Sequence, residues 1–294
     1  MTHVVWIFSL PRSGTSVTAY ACAAPWNHAI ADEVLGPWDR TGEPYNYPQL
    51  QRQLCAEYMS SGCRLTPNVV SIANELFAML DTGTGVVISK HPHLRPSPDE
   101  FRRAFPEHRA IWLMRNPLPR VNSLIARGWT RDLRPNFEIE RFRDFARIWI
   151  RQPERMVFET MRKDRAAYFR SILTHWGLDF TEEHVRAAAG YTRSNYHANS
   201  KEQSEQSSAA PVSEKHWHLP DHAVRMYHDD SEVRSYMKLC GYPTKPWRYR
   251  YEQNMTEARL QRLFKLKDLP SGMVPDQYVP DDALDAVSVT DVTA

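Results

Sequence analysis

Six consecutive residues near the start of the chain, 11–16, have the types and spacing that suit binding of an anion. The apolar, β-prone run from Val4 to Phe8 before them predicts a buried strand, and Val17 to Ala24 after them predicts a helix. A tight loop between a strand and a helix directs backbone N–H groups towards one point, which favours phosphate or sulfate. Arg12 adds a planar cation, and the hydroxyl residues add donors. The candidate anion-binding residues are Pro11, Arg12, Ser13, Gly14, Thr15 and Ser16.

This loop differs from the usual nucleotide triphosphate loop. In the pattern G-x-x-x-x-G-K-[ST], Ser9 stands for the first glycine, Gly14 for the second, and Thr15 for the lysine. Without that lysine, the usual contact to the β- and γ-phosphates is missing. An alternative interpretation is a plain helix N-cap built from Ser13, Thr15 or Ser16 after a proline turn.

The composition places the chain among globular proteins with a core. Of 294 residues, 42% are apolar and 24% are charged. No apolar run approaches the roughly 20 residues that span a bilayer, and no signal-peptide pattern precedes Pro11. We therefore expect a cytoplasmic protein that does not bind membranes.

Cysteine and histidine spacing gives no sign of a metal site. The four cysteines show no C-x-x-C pair and the twelve histidines no H-E-x-x-H pattern, so we expect free thiols and no metal. The net charge is +2, but residues 271–294 hold five Asp and no Lys or Arg, which leaves +7 on the remainder. Basic residues are dispersed rather than clustered, which favours a small polyanionic ligand over a nucleic acid.

Strands and helices alternate along the chain, which predicts an α/β fold with a mostly parallel central sheet flanked by helices in three layers. Predicted strands lie at 4–8, 86–88, 109–114 and 156–158. In such sheets ligands bind beyond the carboxyl ends of the strands. We therefore expect the Arg12 loop, the pair Lys90-His91 and Arg115 to share one rim of the sheet.

The remaining segments complete this domain plan. Residues 32–48 read as a long irregular loop, 190–220 as a mobile polar loop, and 221–240 as one helix ending before Gly241. Residues 1–250 are expected to form the α/β domain, and 251–294 a C-terminal helix and acidic tail. Apolar residues of the tail suit docking on the body or on a second copy, which leaves a homodimer open.

A second motif follows the predicted strand at 109–114. Arg115-Asn116-Pro117 is followed by Ser123, eight residues after the arginine. Together with Ser9-Leu-Pro-Arg-Ser-Gly-Thr-Ser16, this resembles the sulfotransferases that use 3′-phosphoadenosine 5′-phosphosulfate (PAPS). In that family the first motif holds the 5′-phosphosulfate, and the arginine and serine of the second hold the 3′-phosphate.

Two further segments extend the resemblance over most of the chain. Met156-Val-Phe-Glu-Thr-Met161, followed by Trp176-Gly-Leu178, is similar to the family's "v-x-Tyr-Glu-Asp-Leu … Leu-Gly" segment. The region from Lys215-His-Trp217 to Leu239-Cys-Gly-Tyr242 is similar to its C-terminal "Trp … Leu-Gly-Tyr" ending. The family's Arg-Lys-Gly cofactor loop has no counterpart here, and Arg193, Lys201 or Lys215 are the candidates to replace it.

The resemblance implies transfer of a sulfuryl group from PAPS to a hydroxyl of a small-molecule acceptor, giving PAP and a sulfate ester by in-line displacement. Lys90 is then the cation for charge developing on the bridging oxygen. The general base is left open between His91 and His93, because Lys90-His91-Pro92-His93 matches the family segment in two registers. Glu33 is the carboxylate alternative.

Two other functions remain open from the residues. A small-molecule kinase of the P-loop type would use the same strand, loop and helix, but Thr15 replaces its lysine. A non-catalytic protein of the same fold would bind PAP or another nucleotide without turnover.

Overall fold

The computed structural model describes residues 2–36, 48–93, 96–126, 135–191, 219 and 221–242. Its central element is a five-stranded sheet of order β2-β3-β1-β4-β5, in which every pair is parallel. The strands are β1 (His3–Ser9), β2 (Ala29–Asp32), β3 (Val86–His91), β4 (Arg109–Met114) and β5 (Arg155–Val157). The predicted α/β fold with a parallel sheet is thereby confirmed.

Eleven helices lie within the described ranges. They are α1 (Thr15–Ala23), α2 (Pro48–Ser60), α3 (Pro67–Leu80), α4 (Pro98–Ala104), α5 (Pro117–Ala126), α6 (Pro135–Trp149), α7 (Thr160–Lys163), α8 (Arg165–His175), α9 (Glu182–Gly190), α10 (Asp221–Asp229) and α11 (Ser231–Leu239). Within these ranges no helix combines the length and the apolar character needed to cross a bilayer.

Strand β1 is buried on both faces because helices cover the sheet from both sides. Val5 and Ile7 pack in one cluster with α1, α8 and α9. Their neighbours Trp6 and Phe8 point to the opposite face, where Trp6 meets Phe77 of α3 and Phe101 of α4 at ring-centroid distances of 5.4 and 5.5 Å. The continuous apolar run at 4–8 thus reflects a central strand between two helical layers.

Local capping residues start several of these helices. Thr66 and Ser97 each accept a hydrogen bond from a backbone N–H three residues on, and proline follows each of them. His184 and Thr181 form a reciprocal capping box at α9. These caps fix the first residue of each of these helices.

Two expectations about segments need correction. The expected single helix at 221–240 is two helices, because the Asp230 side chain accepts a hydrogen bond from the Val233 N–H at 2.9 Å and starts α11. The irregular loop was expected to begin at residue 32, but Asp32 is the last residue of strand β2. This strand has only four residues and is recognised by its pairing with β3. Helix α9 was not predicted at all.

The chain divides into two compact units, each made of two segments. The first, Met1–Met114 with Arg147–Gln206, holds the whole sheet. The second is Arg115–Ala146 with Ser207–Ala294. Within the second unit, Arg120 of α5 pairs with Glu138 of α6 at 2.5 Å, and Arg143 of α6 pairs with Asp230 at 3.2 Å.

Candidate active site

The loop at residues 11–16, called the anion loop from here on, turns sharply between β1 and α1. Arg12 and Gly14 both have positive φ, 68° and 89°, a region that is costly for residues other than glycine. The turn is closed by a hydrogen bond from the Ser13 N–H to the Leu10 carbonyl at 3.3 Å. The loop therefore holds a defined, left-handed shape.

A ring from the far edge of the sheet supports this shape. A Cβ on Gly14 would lie 2.1 Å from the nearest atom of the Phe158 ring, so the ring occupies the place a side chain would need. Phe158 directly follows β5, and its N–H donates to the Met114 carbonyl of β4 at 2.8 Å. Gly14 is thus required both for its φ and for this close approach.

The start of α1 is suited to an anion. Gly14 is the N-cap residue, no side chain caps the helix, and its first turn has no acidic residue. The alternative interpretation, an N-cap built from Ser13, Thr15 or Ser16, is therefore wrong. Backbone N–H groups at an uncapped N-terminus, together with the positive end of the helix dipole, favour negative charge. Ser13 and Thr15 are buried beside it, while Arg12 and Ser16 are half-buried.

A second group of polar side chains gathers at the carboxyl ends of β2 and β3. This carboxyl-end cluster comprises Asp32, Glu33, Lys90, His91 and His93. Lys90 and Asp32 are register partners in the sheet, and the Lys90 Nζ lies 2.6 Å from the Asp32 Oδ1. Both residues are 5% exposed. Lys90 is therefore a buried, paired cation rather than a solvated lysine at a strand end.

The three candidate bases meet in the same cluster. Glu33 lies with its Oε1 3.7 Å from the Lys90 Nζ and its Oε2 3.9 Å from the His93 Nε2. The rings of His91 and His93 have centroids 4.9 Å apart. His91 is 1% exposed and also contacts the Phe8 ring at 5.8 Å, whereas the His93 side chain is 23% exposed.

The anion loop and the carboxyl-end cluster follow neighbouring strands. β1 and β3 pair in parallel with Ile7 opposite Lys90 and Phe8 opposite His91, so both groups lie at the same edge of the sheet. Helix α1 also contacts β2 and β3. The sequence reasoning missed Asp32, which it counted with the following loop. The only local sign in the sequence was an acidic pair, Asp32-Glu33, directly after the three apolar residues 29–31.

The expected 3′-phosphate residues belong to the second unit. Asn116 accepts a hydrogen bond from the Leu118 N–H through its Oδ1 at 3.0 Å, and Pro117 opens α5. Ser123 therefore lies in the second turn of α5, and it is buried. Arg115 is half-buried and is the first residue of this unit. Its place on a rim with the Arg12 loop stays a prediction.

A buried ion pair in the second unit was not predicted. Arg120 is fully buried, and Glu138 accepts from Arg120 at 2.5 Å and from Arg141 at 3.3 Å. Burial would raise the pKa of Glu138, but the two guanidinium charges outweigh it and hold that pKa below its ordinary value. Burial raises the pKa of the neighbouring Tyr227 hydroxyl.

Some expected residues fall outside the part of the chain that the structure describes. Arg193, Lys201 and Lys215, the candidates to replace the family's C-terminal cofactor loop, are among them, as is the acidic tail. Among the described residues, no group of three or more His, Cys, Asp or Glu side chains is arranged to hold a metal ion.

Comparisons with known proteins give structural similarity only. No family model matches the chain, and no curated protein matches it. One similar solved structure is the sulfotransferase domain of the Synechococcus PCC 7002 olefin synthase, with a TM-score of 0.39, 14% identity, and coverage of 65% of this chain and 80% of that one. Another is retinol dehydratase in complex with androsterone and inactive cofactor PAP, with a TM-score of 0.42, 14% identity and 71% of each chain covered. Similarity at this level carries no argument about activity.

Proposed function

We propose that this chain is a PAPS-dependent sulfotransferase that transfers a sulfuryl group to a hydroxyl of a small-molecule acceptor. One observation carries the proposal. An uncapped helix N-terminus after β1 and a buried lysine–carboxylate–imidazole cluster after β2 and β3 lie at the same edge of one parallel sheet. The first suits an anionic donor, and the second suits proton transfer from an acceptor.

The donor set of the anion loop fits a phosphosulfate group. The N–H groups of the first turn of α1, the Thr15 and Ser16 hydroxyls and the Arg12 guanidinium are all donors. PAPS would supply the sulfuryl group and a phosphate leaving group, and these donors would stabilise the charge that develops on that phosphate. Arg115 and Ser123, by the family resemblance, would bind the 3′-phosphate.

The acceptor hydroxyl needs a base that it can reach. We favour His93, because its side chain is 23% exposed and its Nε2 faces the Glu33 carboxylate, whereas His91 is 1% exposed. His93 would take the hydroxyl proton while the acceptor oxygen forms its bond to sulfur and the bond from sulfur to the phosphate oxygen breaks. Glu33 would stabilise the imidazolium that results.

Lys90 would act on the donor side of the same reaction. It is the cation of the cluster on β3, the strand next to β1, and its ion pair with Asp32 at 2.6 Å holds the ammonium group in place. A fixed positive charge near the leaving oxygen lowers the barrier without reorganisation during the reaction. Thr15, at the position where a kinase of the P-loop type has lysine, favours this chemistry over transfer from ATP.

Calorimetric titration with PAP, and with ADP and ATP as controls, tests the proposal. We expect PAP to bind at least tenfold more tightly than ADP, since ADP lacks the 3′-phosphate, followed by sulfate-ester formation in an acceptor screen with PAPS. Preference for ATP with Mg²⁺-dependent product would support the kinase instead. PAP binding without turnover on any acceptor would support the non-catalytic alternative.

A further inference from the structure

The two carboxylates of the carboxyl-end cluster are adjacent in sequence but have different partners. Asp32 ends β2 and takes the Lys90 ammonium at 2.6 Å. Glu33 follows with a positive φ of 53°, and its N–H donates to the Lys90 carbonyl at 3.0 Å. This turn directs the Glu33 side chain between two groups, Lys90 on one side and His93 on the other.

The distances rank these interactions. Lys90 lies 2.6 Å from Asp32 and 3.7 Å from Glu33, so the ammonium group is committed to Asp32 while Glu33 remains within reach. All three side chains are at most 13% exposed. In such surroundings a charge that loses its partner pairs with the nearest opposite charge rather than with bulk water.

We propose that Asp32 is a positioning residue that holds Lys90 and thereby keeps Glu33 as the partner of His93. Without Asp32, Lys90 would pair with Glu33, and Glu33 would no longer stabilise a protonated His93. The role of Asp32 in proton transfer rests on the proposed function, but the exchange of partners does not. The charged and titratable groups of the cluster are Asp32, Glu33, Lys90, His91 and His93.

The exchange of partners is measured in the ligand-free protein. The coupling between Lys90 and Glu33 is obtained from urea unfolding of Lys90→Met, Glu33→Gln and the double variant, first with Asp32 present and then in the Asp32→Asn background. We expect this coupling to grow about fivefold, as a factor in the unfolding equilibrium constant, when Asp32 is replaced. An unchanged coupling would overturn the proposal. Asp99→Asn, with a side chain 85% exposed on α4, is the matched control and should leave the coupling unchanged.

NMR titration of the His93 imidazole gives a second readout. Its signal is assigned by its loss in His93→Gln. We expect Asp32→Asn to lower the titration midpoint of His93 by about one pH unit, because Glu33 then pairs with Lys90 instead of His93.

A second comparison starts from Lys90→Met. In that background, replacing Asp32 should change the His93 midpoint little. A large shift there would show that Asp32 acts on His93 directly and would contradict the proposal. The double variant removes both members of the buried ion pair and leaves neither charge without its partner, so it remains informative if Asp32→Asn alone fails to fold.

Turnover distinguishes this inference from the proposed function. If the chain is a sulfotransferase, Asp32→Asn should lower kcat about tenfold or more, shift the acidic limb of the pH–rate profile down, and leave PAP affinity unchanged, with partial rescue by Asp32→Glu. Partner exchange without sulfuryl transfer in any variant, wild type included, would reject the function alone. Turnover with an unchanged profile in Asp32→Asn would reject the positioning role alone.

Discussion

Two buried groups of charges in this molecule have opposite balances. In the second unit, Glu138 lies between two guanidinium groups, Arg120 at 2.5 Å and Arg141 at 3.3 Å. In the carboxyl-end cluster of the first unit, one ammonium group, that of Lys90, lies between two carboxylates at 2.6 and 3.7 Å, and an imidazole follows at 3.9 Å.

The difference shows which arrangement of buried charges suits a stabilising contact and which suits a reactive site. Two cations around one carboxylate keep Glu138 ionised over a wide pH range, as its lowered pKa indicates. Two carboxylates around one cation leave the second carboxylate, Glu33, beside the His93 imidazole at 3.9 Å. The first arrangement fixes α5 to α6, and the second, under the proposed function, would hold and release a proton.

The largest expected effect comes from removing a cation from the group formed by Arg120, Glu138 and Arg141. Arg120→Met removes one partner of a buried carboxylate, so the free energy of unfolding should fall by about 3–5 kcal/mol in urea titrations. Arg103→Met, on the exposed side of α4, is the control and should change it by less than about 0.5 kcal/mol. A loss for Arg120→Met as small as the control's would mean that this pair contributes no more than surface charges do.

The next largest effect comes from removing the lysine of the carboxyl-end cluster. Lys90→Met should lower turnover by about 10²–10³-fold, the usual cost of removing one group that stabilises a developing oxyanion, while PAP affinity changes less than about threefold. Initial rates with PAPS and calorimetry with PAP separate the two quantities. Lys163→Met, exposed on α7, is the control for loss of a lysine. A wild-type rate would remove Lys90 from the mechanism.

A binding prediction tests whether Arg115, the first residue after β4, binds the 3′-phosphate of the nucleotide. Arg115→Ala should weaken PAP binding by about 1.5–3 kcal/mol, the range for hydrogen bonds to charged groups, and should leave ADP binding unchanged. Calorimetry measures both, with Arg103→Ala as the control. Equal losses for PAP and ADP would count against a contact to the 3′-phosphate.

The smallest effect is a pH dependence that neither charge group causes. Burial lowers the pKa of His108 to about 4, and its Nδ1 accepts a hydrogen bond from the Trp6 indole at 3.1 Å. The unfolded chain takes up this proton from about pH 6.5 downwards and the folded chain does not, so stability is lost as the pH falls towards 4. Between pH 7 and 5.5 the expected loss is about 1 kcal/mol.

His108→Gln keeps an acceptor for Trp6 but cannot titrate, which makes it the matched variant. Urea unfolding at several pH values should give a shallower dependence for this variant than for the wild type. Identical slopes would assign the acid sensitivity to other groups, such as His28, whose pKa burial also lowers to about 4.

The parts of the fold that the sequence predicted are those with strong local signals. β1 and β4 are continuous apolar runs, so their positions follow from neighbouring residues. β2 was missed because four residues carry no periodic signal, and only pairing with β3 makes them a strand. The break at Asp230 was not predicted, because residues 221–240 have an otherwise helical pattern and the cap depends on the Asp230 side chain accepting from the Val233 N–H.

The candidate site divides in the same way. The anion loop was visible in the sequence because strand, loop and helix are contiguous. The Asp32–Lys90 ion pair joins residues from two strands far apart in the chain. The sequence does not determine whether Lys90 pairs with Asp32 or with Glu33. The contact of Phe158 with Gly14 is of the same kind. Contacts across the sheet follow from register, which the periodicity of single strands does not supply.

The Phe158 ring also sets an order of events during synthesis. The residues of the anion loop leave the ribosome first, but the ring that packs against Gly14 is made more than a hundred residues later. The loop therefore acquires its final support only after β4 and β5 have been translated and paired. Across evolution, Gly14 and the aromatic ring of Phe158 are therefore expected to change together or not at all.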